Sequence, residues 1–333
     1  DLVVTLVLGD TDGLSNREPI SFTLAAVPDE VPRVAVRLRG ISTAVTPRAR
    51  LPIEGTITDD HALAAATVRL AWRPPGAARR GGAAEPAAEA EIRSLPLTAV
   101  RGGEPAVELA GDRVETVSLE PLGLVPGGRL EVVVAARDAC TLDGEPQTGT
   151  GDTWTLDVVA PEALQALLEA REIVVRRRYE AAIEDLAQAR DRLAGAAEPD
   201  APARFGEAVA RATGETAEIA AAFRDIRLEF DNNGLLTTEL ENRLGAQIVA
   251  PLVGIATGDL PGLAAACRAT PAGPLGRRAD EVLERMRAVL ARMLELESFN
   301  EVIERLRGVL RTQEEIRAET LRRQKQRARE ALE

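Results

Sequence analysis

The 333-residue chain is poor in aromatic side chains, histidine, cysteine and lysine. Two tryptophans, one tyrosine and five phenylalanines are too few rings for a base-stacking platform or an aromatic-lined sugar groove. A single histidine, His61, excludes a multi-histidine metal site. Two cysteines, Cys140 and Cys267, exclude a disulfide-dense scaffold and a Cys-rich zinc site. Lysine occurs once, at Lys325, and arginine supplies all other basic charge; with the heavy use of alanine, that skew reflects a GC-rich coding sequence. The net charge of −12 argues against a nucleic-acid binder. No run approaches the ~20 apolar residues expected of a membrane span, and no signal peptide is recognisable. The chain opens at Asp1, without methionine, in the alternation Leu2, Val4, Leu6, Leu8, which reads as a strand of a longer protein. What is present, 45% apolar and 28% charged residues, is a globular composition of two or three domains.

Two periods divide the chain. Thirteen of the twenty prolines precede residue 161. Strand runs are expected there at 2–8, 20–27, 33–38, 51–58, 63–72, 91–97, 114–119, 129–137 and 152–159. Clean alternation in Val34, Val36, Leu38 and in Leu51, Ile53, Gly55, Ile57, with turn residues between runs, is the pattern of an Ig-like antiparallel β-sandwich. Pro28 and Pro32 flank a short link, Asp29-Glu30-Val31. Residues 1–28 are therefore read as the terminal hairpin of a preceding β module, and 29–160 as the sandwich. The Ala/Gly/Pro-rich stretch 73–90 reads as a solvated hairpin extension.

From Pro161 the period becomes helical. Leu168, Val175, Tyr179, Ala182, Leu186, Ala189 and Leu193 form one stripe. Phe205, Val209, Ala212, Thr216, Ile219, Phe223, Ile226 and Phe230 follow the 4-3 spacing of a packed a/d seam. Thr238-Glu239-Leu240-Glu241 reads as a capping box. Pro251, Pro261, Pro271 and Pro274 should break the chain into short pieces. A terminal helix from about Arg277 has the seam Leu283, Met286, Leu290, Met293, Leu296, Phe299, Ile303, Leu306, Leu310, with a stammer between 293 and 296. Residues 161–333 are thus expected to be an α-helical bundle ending in a long coiled-coil-like helix.

Several segments have the look of one family. VPDEVPRVAV, TDDHAL, RDACTLDGEPQTGTGDTWTLDVVAPEALQALLEARE and MLELESFNEVIERLRGVLRTQEEIRAETLRRQKQ together resemble large, uncharacterised, membrane-anchored envelope proteins of planctomycete-type bacteria. These are similar to a wider transmembrane family of unknown function, in which Ig-like repeats precede a long helical region. The resemblance implies an extracytoplasmic location on the periplasmic side, with anchor helices outside these residues. It supplies no catalytic or binding residue. The family has an aromatic and a glycine after the Asp pair, where this chain has His61 and Ala62.

Candidate sites are few. Asp10, Asp12, Asp59, Asp60, Asp138 and Asp143 lie at expected strand ends and are candidate oxygen ligands for calcium. Aspartate also fills turns because its carboxylate accepts backbone hydrogen bonds, so no metal is assigned. Asp231-Asn232-Asn233-Gly234 imitates an EF-hand loop, but Leu240 stands where the bidentate glutamate is needed; an Asn/Gly helix cap is the better reading. His61 beside Asp59 and Asp60 invites an acid–base pair. No serine elbow or cysteine nucleophile motif accompanies it, so it reads as a solvated turn residue. Cys140 and Cys267 lie in different halves and read as independent thiols, a bridge between them requiring close docking of the two halves and staying open as the alternative in an extracytoplasmic protein. The tail Arg305–Arg329, with nine basic and three acidic residues, reads as a solvated helix face rather than a lipid-binding strip.

These features point to a non-enzymatic extracytoplasmic scaffold or protein-interaction module, with no catalytic residue, cofactor, nucleic acid or small-molecule substrate. Its partner would be another protein, or a second copy meeting the helical seam, and membrane attachment would come from other parts of the chain. The competing readings are the non-catalytic regulatory part of an envelope enzyme, or a soluble coiled-coil adaptor.

Overall fold

The computed structural model describes residues 2–16, 18–25, 27–75, 90–141, 144–195, 200–269, 275–294, 313 and 317. It combines β-sheets with helices, a β plus α class. Two compact units are formed: Asp1–Arg39 with Thr43–Val159, and Gly40–Ser42 with Ala160–Glu333.

The first unit contains β1 (Leu2–Leu6), β2 (Ile20–Leu24), β3 (Arg33–Leu38), β4 (Ala44–Val45), β5 (Arg50–Thr58), β6 (Leu63–Arg73), β7 (Glu91–Pro96), β8 (Ala106–Leu109), β9 (Glu115–Ser118), β10 (Arg129–Asp138) and β11 (Thr148–Val158). β1 and β2 pair as a two-stranded ribbon. A five-stranded sheet runs β4-β11-β10-β6-β7, and a second runs β3-β5-β8, with β9 also on β5. Among the described residues pairing is antiparallel except where the two residues of β4 lie parallel to β11, an exception, at a sheet edge, to the expected all-antiparallel arrangement. Alternation explains the core. In β10, Leu130, Val132, Val134 and Ala136 are buried, as are Leu51, Ile53 and Ile57 of β5; each such Leu, Ile or Val contributes roughly 1.5–3 kcal/mol. The same period carries Asp138, the last residue of β10, onto the buried face, where it is 0% exposed.

One glycine decides how the chain enters β3. A Cβ on Gly149 of β11 would lie 1.8 Å from the carbonyl oxygen of Pro32. Only glycine lets the 29–32 segment cross so close to β11.

In the second unit α1 (Pro161–Gly195) and α2 (Ala201–Asn232) pack on each other. All eight residues of the 4-3 seam in α2, Phe205 to Phe230, are buried. The helix ends as its Asn-Gly sequence predicts: Gly234 takes φ 68°, and the Leu235 amide bonds the Phe230 carbonyl. The next helix is capped one residue earlier than expected. Thr237, not Thr238, accepts the Leu240 amide, and Glu241 pairs instead with Arg227.

That helix, α3 (Thr238–Arg268), does not break at Pro251 or Pro261. A π-helical turn precedes each proline, at Asn242–Val249 and at Ile255–Asp259. Ala250 bonds back to Gly245 and Leu260 to Ile255, five residues away instead of four. The wider turn makes room for the proline ring and absorbs the lost donor. α3 spans 31 residues with a mean hydropathy of 1.5 over its most apolar window, a third of which is buried. It therefore meets the length and composition of a membrane span, contrary to the expectation from unbroken apolar runs, which stop at its glycines and threonines. A core helix of a bundle meets the same test. Residues 275–294 form a further helix, α4, with Leu283, Met286 and Met293 buried. The expected seam from Leu296 to Leu310 and the stammer lie outside the described residues, as do residues 76–89 of the hairpin extension, Pro271 and Pro274, and the 305–329 tail except Gln313 and Arg317.

Candidate functional site

Three stretches distant in sequence meet at one end of the first unit. β3 and β5 pair with Arg33 opposite Thr58, so residues preceding Arg33 run alongside the turn that follows Thr58. The Ala139 amide bonds the Ala62 carbonyl at 2.7 Å, fixing the chain after β10 to the same turn. Gln147, just before β11, clamps the rest. Its amide donates to Asp138 Oδ2 at 2.9 Å. Its side-chain nitrogen donates to the Asp29 carbonyl and Oδ2, both at 3.1 Å.

The result is a mixed donor group. His61 Nδ1 lies 3.0 Å from Asp29 Oδ1 and 3.3 Å from Asp60 Oδ2. One donor atom each from Asp29, His61 and Cys140 falls within 4.8 Å of the other two. The Asp29 side chain is 5% exposed and Cys140 9%, while the His61 side chain is 43% exposed. The group is rooted inside and opens to solvent through the imidazole.

Negative charge dominates here. The His61 imidazole is held above its usual range first by its hydrogen bond to Asp60, with the Asp60, Asp29 and Asp59 charges adding to it against the opposing effect of burial. Burial pushes Asp59 up, and the charges of Asp60 and Asp138 reinforce that against the His61 and Ala62 amides. Burial also presses on Asp60, but the His61 hydrogen bond and the backbone amides of Asp60 and Glu30 outweigh it and hold the carboxyl low. Oδ1 of Asp59 and of Asp138 is buried and accepts no hydrogen bond, while the buried Asp29 Oδ1 has the His61 imidazole as its partner. Buried acceptors left unmatched are costly. The chemistry offered is that of sulfur, nitrogen and carboxylate oxygen converging on one point, suited to a cation.

Of the residues singled out from sequence, the fold brings Asp59, Asp60, His61, Asp138 and Cys140 into this region. His61 is not merely a solvated turn residue, since two carboxylates hold it. Asp10 and Asp12 lie in the β1–β2 turn, where Asp10 Oδ1 accepts the amides of Asp12 and Leu14, a turn-forming role. Asp143 lies outside the described residues. Asp29 and Gln147 were not apparent from sequence. The available signals were an aspartate between two prolines and a carboxylate, Asp138, closing an apolar alternation. Cys140 and Cys267 are not in a disulfide.

The second unit has a different kind of polar centre. Glu229 of α2, 2% exposed, receives Arg171 Nη1 at 3.0 Å and the Ser42 hydroxyl, a matched and structural arrangement. A groove of about 510 Å³ runs between α3 and α4 beside the second π turn, lined by Pro251, Ile255 and Val289 with Asp259 and Arg285 at its rim. Comparison with protein-family models, curated proteins and solved structures returns no match.

Proposed function

We propose that the chain is a non-enzymatic extracytoplasmic scaffold or protein-interaction module of a membrane-anchored envelope protein. In this reading the strands from 29 to 160 are an Ig-like sandwich, and the helices from 161 are a bundle continued by a coiled-coil-like helix. Residues 1–28 belong to a preceding β module.

The observation that carries the reading is the apolar face of the β1–β2 ribbon. Leu2, Val4 and Leu6 lie opposite Leu24, Phe22 and Ile20, so alternate positions put all six on one face. Leu2, Leu6, Ile20, Phe22 and Leu24 are 42–62% exposed. A two-stranded ribbon is marginal by itself, and a contiguous apolar face of this kind marks an interaction surface. The resemblance to envelope proteins with Ig-like repeats in series supports a protein module as the cover.

The test is sedimentation of the full chain, alone and with the module that precedes it in the parent protein. Association should be lost in the double variant Phe22→Asp, Leu24→Asp, with the helical melt unchanged. Association untouched by these changes would end the ribbon's role. Protection of the parent chain from protease added to spheroplasts would replace the envelope reading with that of a cytoplasmic adaptor.

A further inference from the structure

We propose that Asp29, His61 and Cys140 bind one zinc-class divalent transition-metal ion, which fastens the segment before β3 to the β5–β6 turn and to the end of β10. The site uses only residues of the first unit and stands apart from the envelope reading.

Donor chemistry chooses the ion. Calcium and magnesium take oxygen ligands, whereas a thiolate, an imidazole and a carboxylate together suit zinc. The calcium ligands suggested by the aspartates alone thus give way to a softer ion once Cys140 and His61 join them. The donor atoms lie within 4.8 Å of one another. In a tetrahedral zinc site with bonds of about 2.0–2.3 Å they stand roughly 3.3–3.8 Å apart. Closing that difference takes about an ångström of side-chain movement, and His61 on its exposed turn can supply it. A fourth ligand, water or a group from another molecule, would complete the tetrahedron.

A second observation points the same way. Asp138 is 0% exposed, and its Oδ1 accepts no hydrogen bond; its charge reaches Asp59, whose own Oδ1 is likewise unmatched. Asp29 Oδ1, by contrast, has the His61 imidazole 3.0 Å away as its partner. The two unmatched carboxylates stand two residues from two of the proposed ligands, Asp59 from His61 and Asp138 from Cys140, and a nearby cation offsets their desolvation. Cysteine, histidine and aspartate can also form a nucleophilic set. Here the carboxylates of Asp29, Asp60 and Asp59 around His61 favour a bound cation instead.

The experiment uses the full chain, reduced and stripped with chelator. Zinc is titrated in competition with a chromophoric chelator, and cobalt is added in parallel as the spectroscopic probe. One equivalent of zinc should bind, and cobalt should give a thiolate-to-metal charge-transfer band. Cys140→Ala and His61→Gln should each weaken zinc binding by about 100-fold or more, since loss of outer-shell partners alone costs about 10–100-fold. Cys267→Ala and Asp12→Ala should bind as the parent does, and calcium should not compete. Zinc should also slow alkylation of Cys140 by iodoacetamide, a readout on the unmodified chain should Cys140→Ala fail to fold. No zinc uptake, uptake indifferent to His61→Gln, or Cys140 alkylation unaffected by zinc would each overturn the proposal, the last in favour of a nucleophilic thiol.

Discussion

His61 Nδ1 and Asp29 Oδ1 stand 3.0 Å apart because the β3–β5 ladder, extended past Arg33 and Thr58, runs one residue's chain alongside the other's. The crossing at Gly149 keeps that extension in place. Gly149→Ala should push the Pro32 carbonyl away, at a cost of about 1–3 kcal/mol for overpacking, read as a lower melting temperature of the β signal. An unchanged melt would mean the crossing is slack.

Gly214 is the matching case with the opposite sign. It lies inside α2, and a Cβ there would meet nothing within 4 Å. Gly214→Ala should raise the stability of the helical unit by up to about 1 kcal/mol. Thermal unfolding followed by helical circular dichroism decides it, and destabilisation would contradict the open surroundings.

Phe223 is 1% exposed on the seam of α2. Truncation to alanine should cost about 3–5 kcal/mol and lower the helical melt sharply, with the oligomeric state unchanged. A variant that melts like the parent but no longer associates would mean the seam serves a partner.

Burial pushes the Glu172 carboxyl up to about 7; Arg243 beside it opposes the shift and Glu169 adds to it. The folded state therefore holds a proton that the unfolded chain has already lost. Between the ordinary carboxylate value of 4.5 and about 7, stability should fall as pH rises, by about 3 kcal/mol at most. Below that window the group is neutral in both states and costs nothing. Glu172→Gln should remove the slope, so the variant matches the parent near pH 4.5 and exceeds it above pH 7. Parallel stability curves across that range would show that Glu172 is not the cause.

Regular periods were legible from residues alone. The alternation of β5 and β10 and the seam of α2 each repeat one burial demand several times, so a single odd residue does not hide them. Short elements were not. β4 has two residues, and Ala106–Leu109 of β8 sits among Gly102, Gly103 and Pro105, where turn signals outweigh four residues of pattern. The start of β11 was obscured by Gly149 and Gly151, whose value is the room they leave. Pro251 and Pro261 spoke for breaks because a π turn has no residue signature of its own. The site was legible in fragments: Asp59, Asp60, His61 and Asp138 were visible as strand-end groups, but their junction with Asp29 and Cys140 is a product of strand register.

The donor group also imposes an order of events during synthesis. Asp29 leaves the ribosome roughly 110 residues before Cys140, which at about 5–20 residues per second is an interval of several seconds or more. Once the β5–β6 turn has followed, about thirty residues after Asp29, the segment ahead of β3 has a partner there but neither the thiol nor Gln147. The last of these parts to be translated is the one that closes the ring, so a nascent chain arrested before residue 140 holds an open edge there, and release of β11 is the step that seals it.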